Sequence, residues 1–123
     1  MVVGVGIDIV EVDRIRKALL RPNFSRRILT ELEETYCSTS TGFSALKVAG
    51  RWAAKEAVIK ALGISLRMQD IEILNDPLGQ PHVSIHDSKF DNKRLKIFVS
   101  ITHERGHAAA VAVVERSILQ IPL

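Results

Sequence analysis

The stretch from Phe43 to Leu62 places the strongest limit on how this chain of 123 residues can fold. It contains no proline and only one internal glycine, Gly50, and Gly63 follows at the position of a helix C-cap. At about 1.5 Å per residue, this stretch predicts a helix roughly 30 Å long. We therefore expect one long central helix around which the other elements of a small domain must pack.

The sequence before and after this helix contains alternating apolar residues, which predict strands. Residues Val2–Val10 put β-branched side chains on one face and Gly4, Gly6 and Asp8 on the other, where the glycines are expected to leave open space. Four more strands are expected at Asp70–Asn75, His82–His86, Leu95–Thr102 and Ala108–Glu115. The pattern predicts an α+β fold with one long central helix packed on a small antiparallel sheet, in a single domain covering residues 1–123.

The segment between the first strand and the long helix has helical spacing. It predicts one short helix that begins near Val12 and ends near Pro22, and a second over Phe24–Tyr36 with Leu32 on its inner face. The small polar residues of Cys37–Gly42 predict a loop.

Composition excludes several classes of protein. The longest apolar run, Ala108–Val114, is about a third of the roughly 20 residues that a membrane-spanning helix needs. Six aromatic residues are too few for a surface that stacks single-stranded nucleic acid, and a net charge of +3 permits an acidic partner without requiring one. The N-terminus lacks the basic region of a signal peptide, and the single cysteine, Cys37, fits a reducing compartment. We therefore expect a cytoplasmic protein with no membrane and no nucleic-acid partner.

Three cations of the long helix lie four residues apart. Lys47, Arg51 and Lys55 fall on one stripe at 100° per residue, where like charges repel by roughly 0.2–0.5 kcal/mol per pair. Such a stripe indicates either a bound anion or a solvated helix face.

Glu56 lies among mostly apolar neighbours on a different side of the same helix. A carboxylate there requires a cation, and Lys60, one turn later, could supply an ordinary ion pair. Asp8 could instead cap the following helix. Alternatively, Asp8 and Glu56 could hold Mg²⁺ together, since this ion is usually bound by one or two carboxylates, waters and substrate phosphates. Spacing alone does not bring residues 8 and 56 together.

Five blocks of sequence resemble one known family. They are GIDIVEVDRI at residues 6–15, RWAAKEAVIKALG at 51–63, DIEI at 70–73, VSITH at 99–103 and AAAVAV at 108–113. In this order and at this spacing, the chain closely resembles the holo-acyl-carrier-protein synthases, the small trimeric members of the 4′-phosphopantetheinyl transferase superfamily.

The resemblance implies a reaction and a metal. Members of the family transfer 4′-phosphopantetheine from coenzyme A to a serine of apo acyl carrier protein for fatty acid biosynthesis, and they release adenosine 3′,5′-bisphosphate. Asp8 and Glu56 match the carboxylates that bind Mg²⁺, and Lys60 matches the lysine beside the pyrophosphate. The resemblance therefore implies that these three residues are catalytic.

The resemblance also implies where the two substrates bind. Arg51 and His103 match residues on the side of coenzyme A, including its 3′-phosphate, and Lys60 lies near its pyrophosphate. Arg14 matches the arginine that contacts the acidic helix of the carrier protein. The implied assembly is a homotrimer with its active sites between subunits.

Two other functions are compatible with parts of the sequence. HERGH at residues 103–107 has the zinc-protease pattern H-E-x-x-H, which requires a helix, whereas a strand runs up to it and Gly106 favours a turn. The cluster of cations from Arg14 to Arg27 could instead bind nucleic acid. That function would depend strongly on salt and would need neither Asp8 nor Glu56.

Overall fold

The computed structural model describes residues 1–117, which form four helices, a 3₁₀ turn and seven strands. In chain order these are β1 (Val2–Glu11), α1 (Val12–Ala18), α2 (Phe24–Ile28), α3 (Glu31–Cys37), β2 (Ser38–Thr39), β3 (Gly42–Phe43), α4 (Ala45–Leu62), the 3₁₀ turn Met68–Asp70, β4 (Ile71–Asn75), β5 (Pro81–Ile85), β6 (Leu95–Glu104) and β7 (His107–Arg116). The α+β fold predicted from the sequence is confirmed.

The long central helix is α4. The Ser44 side chain caps its start by accepting a hydrogen bond from the Lys47 amide at 3.2 Å, and Gly63 ends it in the left-handed conformation with φ 66°. Both ends were therefore predicted to within two residues. No helix within residues 1–117 has the length and apolar character needed to cross a membrane.

The main sheet is antiparallel and packs on α4 in the order β1-β7-β6. Alanines fill most of the contact, because the inner positions of β7 and one face of α4 are fully or almost fully buried alanines. The expectation of a single sheet was too simple. Strands β4 and β5 form a separate hairpin, as do the two-residue strands β2 and β3.

Two glycines set the distance between β1 and α4. A Cβ at Gly6 would overlap the carbonyl oxygen of Ala57, and one at Gly4 would overlap that of Ala61. The open space expected beside these glycines is therefore wrong, because the backbone of the helix fills it. This close approach brings residue 8 of the strand next to the middle of α4.

The predicted helix over Phe24–Tyr36 is broken into α2 and α3. Thr30 starts α3 with a capping box, in which its side chain and that of Glu33 each bond the other residue's backbone amide. The break turns Leu32 outward, where it is 58% exposed, so its expected inward orientation is wrong.

Cys37, expected at the start of a loop, ends α3 and is fully buried, which raises the pKa of its thiol to about 11.

The outer face of the main sheet is apolar and uncovered in the single chain. Its exposed large side chains include Val3, Val5, Ile7, Ile9 and Phe98, the last four being 51–69% exposed. A contiguous patch of this kind on a small domain marks an interaction surface.

Candidate active site

The two carboxylates singled out in the sequence meet where β1 crosses α4. Asp8 lies within β1, opposite Ala110 of β7, and its side chain is only 16% exposed. Glu56 is half-buried in the middle of α4. Burial, and next the negative charge of Asp8, raise the pKa of Glu56, while Lys60 and Arg14 oppose the shift. The Nζ of Lys60, one helical turn after Glu56, lies 3.2 Å from the Asp8 carboxylate, so Asp8 lies against the same part of α4 as Glu56.

Lys60 contacts Asp8 rather than Glu56. Its Nζ lies 3.2 Å from the Asp8 carboxylate and donates to the Ile7 carbonyl at 3.1 Å. Within residues 1–117, Lys60 forms no ion pair with Glu56, so the simple i,i+4 pair considered above is wrong. Asp8 does not cap α1 either, because Glu11 occupies the N-cap position without a side-chain bond.

This pair of carboxylates suits a hard divalent cation. Two carboxylates that repel each other in a half-buried site gain from a shared cation, and oxygen is the donor that Mg²⁺ prefers. The described residues hold no cluster of three or more His, Cys, Asp or Glu side chains able to bind a metal. The remaining positions around an ion here would therefore fall to water or to a phosphate of the substrate.

A groove beside Glu56 combines cations with an aromatic floor. Arg14, Lys17 and Arg21 of α1 and the segment after it line a cavity of about 300 Å³. Phe24 and Trp52 form its floor and stack with their ring centroids 6.0 Å apart. Trp52 precedes Glu56 by one turn of α4, so the groove lies next to this carboxylate, and Arg14 of the groove lowers the pKa of Glu56.

A second cavity of about 520 Å³ lies between the start of α4, the β4–β5 turn and β6. Arg51 and His103, predicted on the side of coenzyme A, both line it, together with Lys47. Arg51 is only 4% exposed, and its guanidinium donates to the Ile73 carbonyl at 2.8 Å and to the Asn75 side chain at 3.4 Å. Its Nε is buried with no hydrogen-bond partner among the described residues.

Lys55 does not belong to the cationic stripe. It is fully buried, and its Nζ donates to the Glu33 carboxylate at 2.5 Å and to the Met68 carbonyl at 2.9 Å. The two interpretations of the stripe, a bound anion and a solvated helix face, are therefore both wrong for Lys55. The stripe reduces to Lys47 and Arg51.

Sequence reasoning missed three residues of this region. Glu33 was detectable from the T-x-x-E capping pattern at Thr30, although its link to Lys55 was not. Tyr36 and Asn75 line the 520 Å³ cavity and bond each other at 3.2 Å through the tyrosine hydroxyl. No local signal marks either one, because they come from separate elements.

The H-E-x-x-H sequence lies on a hairpin. His103 and Glu104 end β6, Arg105 and Gly106 form the turn, and His107 pairs with Glu104 across the ladder. The pattern is not helical, so the two histidines lack the i,i+4 geometry on which a zinc protease depends.

Comparison with known proteins decides the family. The family model of the 4′-phosphopantetheinyl transferase superfamily matches residues 4–112. The chain belongs to this superfamily. The enzyme class predicted from the sequence, a phosphopantetheinyl transferase, is thereby confirmed. The catalytic and binding roles of individual residues remain predictions.

Two relatives of this transferase are named holo-[acyl-carrier-protein] synthase. A holo-[acyl-carrier-protein] synthase of Clostridium botulinum (strain Alaska E43 / Type E3) is 43% identical over 122 residues, covering 94% of this chain and 98% of the relative. The synthase of Clostridium tetani (strain Massachusetts / E88) is 40% identical over 123 residues, covering 94% of this chain and 97% of the relative.

Solved structures agree with the fold. Holo-ACP-synthase from Plasmodium yoelii superimposes with a TM-score of 0.84 at 35% identity, covering 96% of this chain and 98% of that one. The synthase of Helicobacter pylori, solved in complex with coenzyme A, gives a TM-score of 0.80 at 35% identity, covering 90% and 99%.

Proposed function

We propose that this transferase moves 4′-phosphopantetheine from coenzyme A to a serine of apo acyl carrier protein in the cytoplasm, with Mg²⁺ held by Asp8 and Glu56. The observation that carries the proposal is the meeting of these carboxylates and Lys60 at the crossing of β1 and α4. Relatives at 40–43% identity named as synthases and the coenzyme A complex of a structural relative support the choice of substrates.

The reaction is a substitution at the phosphorus that carries pantetheine. The serine oxygen bonds to this phosphorus, the bond to the bridging oxygen breaks, and adenosine 3′,5′-bisphosphate leaves. Lys60, beside Asp8, is placed to offset charge on the departing phosphate. The serine proton passes to Glu56 or to a water held by one of the carboxylates. Bound Mg²⁺ supplies charge neutralisation on the pyrophosphate.

A mass measurement tests this function directly. The chain, coenzyme A, Mg²⁺ and an apo acyl carrier protein are incubated, and the carrier is weighed intact. We expect a gain of one phosphopantetheine group that is lost when the metal is chelated and restored when Mg²⁺ is added back. An unmodified carrier would contradict the proposal, and modification that persists after chelation would contradict its metal.

The groove beside Glu56 is the proposed site for the carrier. Arg14, Lys17 and Arg21 give it a positive rim that suits an acidic helix, and Phe24 and Trp52 give it an apolar floor. Because the groove borders the carboxylate pair, a serine at the end of such a helix would reach the reacting phosphorus.

We further propose that the active form is a homotrimer with sites between subunits. The apolar outer face of the sheet needs a cover, and a second copy of the chain supplies one. The 520 Å³ cavity with Arg51 and His103 is not lined by Asp8, Glu56 or Lys60. Coenzyme A could then reach the carboxylates of one subunit from the cavity of its neighbour.

Mixing two impaired variants tests this arrangement. Asp8→Ala and His103→Ala chains, with different tags, are produced together and the mixed oligomer is purified through both tags. In a mixed trimer, one of the three sites regains both wild-type groups, so we expect about a third of wild-type activity. Each variant produced alone serves as control. If activity is no higher than the mean of the two controls, Asp8 and His103 act in the same subunit, and the proposed arrangement is wrong.

A further inference from the structure

Glu33 is a buried carboxylate to which the proposed reaction assigns no role. Its side chain is fully buried, and both of its oxygens accept hydrogen bonds. Oε1 accepts from the Lys55 ammonium at 2.5 Å and from the Thr30 amide at 2.9 Å. Oε2 accepts from the Ile73 amide at 2.8 Å. The ion pair with Lys55 therefore occupies one oxygen, and the other oxygen holds the backbone of β4.

The backbone of Ile73 connects Glu33 to Arg51. The Ile73 N–H donates to Glu33, and the carbonyl of the same residue accepts from the Arg51 guanidinium at 2.8 Å. The bonds of this guanidinium to the Asn75 side chain are longer, at 3.4 Å. In a strand, the N–H and the C=O of one residue point to the same side. Glu33 therefore fixes the edge of β4 that supplies the acceptor for Arg51.

A second connection between the two residues runs through α3. Glu33 forms the capping box of this helix with Thr30, and Tyr36 follows one turn later. The Arg51 guanidinium carbon lies 4.8 Å from the centroid of the Tyr36 ring, and the tyrosine hydroxyl accepts from the Asn75 amide at 3.2 Å. Arg51 therefore contacts both α3 and β4, and Glu33 bonds these two elements to each other.

Resting on the proposed function, in which Arg51 binds coenzyme A, we infer that Glu33 is a positioning residue that fixes the Arg51 guanidinium through the backbone of Ile73. A guanidinium that is held in place before the substrate arrives loses less freedom on binding, so its position contributes to affinity. Glu33 itself is fully buried and does not touch the substrate. Its replacement should therefore weaken the binding of coenzyme A and spare the reacting groups around Asp8 and Glu56.

Steady-state kinetics of Glu33→Gln test this inference. Glutamine has the shape of glutamate but a single acceptor oxygen, which Lys55 and Thr30 would engage. Its NH2 group would then face the Ile73 N–H, and the bond to β4 would be lost. We expect KM for coenzyme A to rise roughly fivefold, as the loss of one hydrogen bond predicts. The kcat at saturating coenzyme A and KM for the carrier should stay within about twofold of the wild type.

Lys55→Met is the matched control. It breaks the same ion pair but keeps a glutamate whose Oε2 can still accept from Ile73. We expect this variant to lose stability and yet keep KM for coenzyme A within about twofold of the wild type. Circular dichroism at the assay temperature checks that both variants are folded. If Glu33→Gln is unfolded there, Glu33→Asp replaces it, since aspartate keeps the charge for Lys55 and shortens the reach to Ile73.

A double-mutant cycle tests whether Glu33 acts through Arg51, and it does not need the Lys55 variant. Arg51→Lys keeps the charge but lacks the planar fork that bonds Ile73 and Asn75 together. This change alone should raise KM for coenzyme A. Adding Glu33→Gln to it should raise KM by less than about twofold more, because the group that Glu33 positions is already gone.

The outcomes separate this inference from the proposed function. If Glu33→Gln leaves KM for coenzyme A unchanged, or if Lys55→Met raises it equally, Glu33 serves the fold alone and the inference is wrong. Effects of Glu33→Gln and Arg51→Lys that multiply in the double variant would also overturn it, with transfer by the wild type still intact. If the wild-type chain transfers nothing from coenzyme A, the proposed function fails, and this inference fails with it.

Discussion

Replacing Glu56 by glutamine is expected to lower kcat by roughly 10³-fold or more, because the proposed metal site loses one of its two charged ligands. Glutamine has the same shape, so the fold and the groove beside it should be preserved. Asp8→Asn is expected to have an effect of the same order. The rate of carrier modification at saturating coenzyme A measures both.

The same substitution should stabilise the protein when no metal is present. Burial and the charge of Asp8 raise the pKa of Glu56, so the folded state binds its proton more tightly than the unfolded state does. Wild-type stability therefore falls as pH rises from the unfolded pKa through the raised folded pKa. Above that range, Glu56→Gln should unfold at a temperature a few degrees higher, and the difference should vanish on acidification.

Thermal unfolding with a chelator, at fixed protein concentration and from about pH 4 to 7, measures this difference. Glu31→Gln, at an exposed position in the first turn of α3, is the matched control; it should leave activity unchanged and should not raise the unfolding temperature. A Glu56→Gln variant that is less stable than the wild type at pH 7 would mean that Glu56 supports the fold rather than straining it.

Replacing Lys55 by methionine is expected to reduce the free energy of unfolding by about 3–5 kcal/mol, a large part of the 5–15 kcal/mol typical of a domain. The substitution would leave the Glu33 carboxylate buried without its cation. Glu33 also accepts bonds from the amides of Thr30 at 2.9 Å and Ile73 at 2.8 Å, so it links α3, α4 and β4. Burial lowers the pKa of Lys55, and Glu33 opposes that shift.

Urea unfolding at constant protein concentration measures this effect, with Lys60→Met as control on the same helix. The ion pair of Lys60 with Asp8 is 54% exposed on the lysine side, so its loss should cost no more than about 1 kcal/mol. Glu33→Gln/Lys55→Met should lose less stability than the sum of the single changes. If Lys55→Met and Lys60→Met lower the free energy of unfolding equally, the buried Lys55–Glu33 pair contributes no more to stability than the exposed Lys60–Asp8 pair.

The elements with strong local signals were predictable from the sequence. The unbroken run before Gly63 indicated α4, alternation indicated β1 and β6, and a short continuous apolar run indicated β7. The pairing of Asp8 and Glu56 was one of several alternatives from the residues, and only the resemblance favoured it, because contact between distant parts of a chain leaves no periodic signal. The structure brings them together through the approach of β1 to α4.

The failures have a common physical origin. Lys47, Arg51 and Lys55 share one spacing, yet Lys55 is buried because its partner Glu33 comes from a different helix. The broken helix between α2 and α3 reflects the capping box at Thr30, whose local bonds outweigh a continuous helical pattern. In both cases, polar contacts determined the structure, and the spacing of residues along the chain could not predict them.

The glycines of β1 have a consequence for how this catalyst can diverge. The backbone of Gly4 and Gly6 packs directly on the backbone of Ala61 and Ala57. No side chain separates the strand from the helix there, so no change of rotamer can alter their distance. The spacing between Asp8 of β1 and the part of α4 that carries Glu56 is thus a fixed dimension of the scaffold, inherited rather than adjustable. Related enzymes can therefore vary the residues that line their substrate grooves, while the distance between β1 and α4 at the active site stays the same.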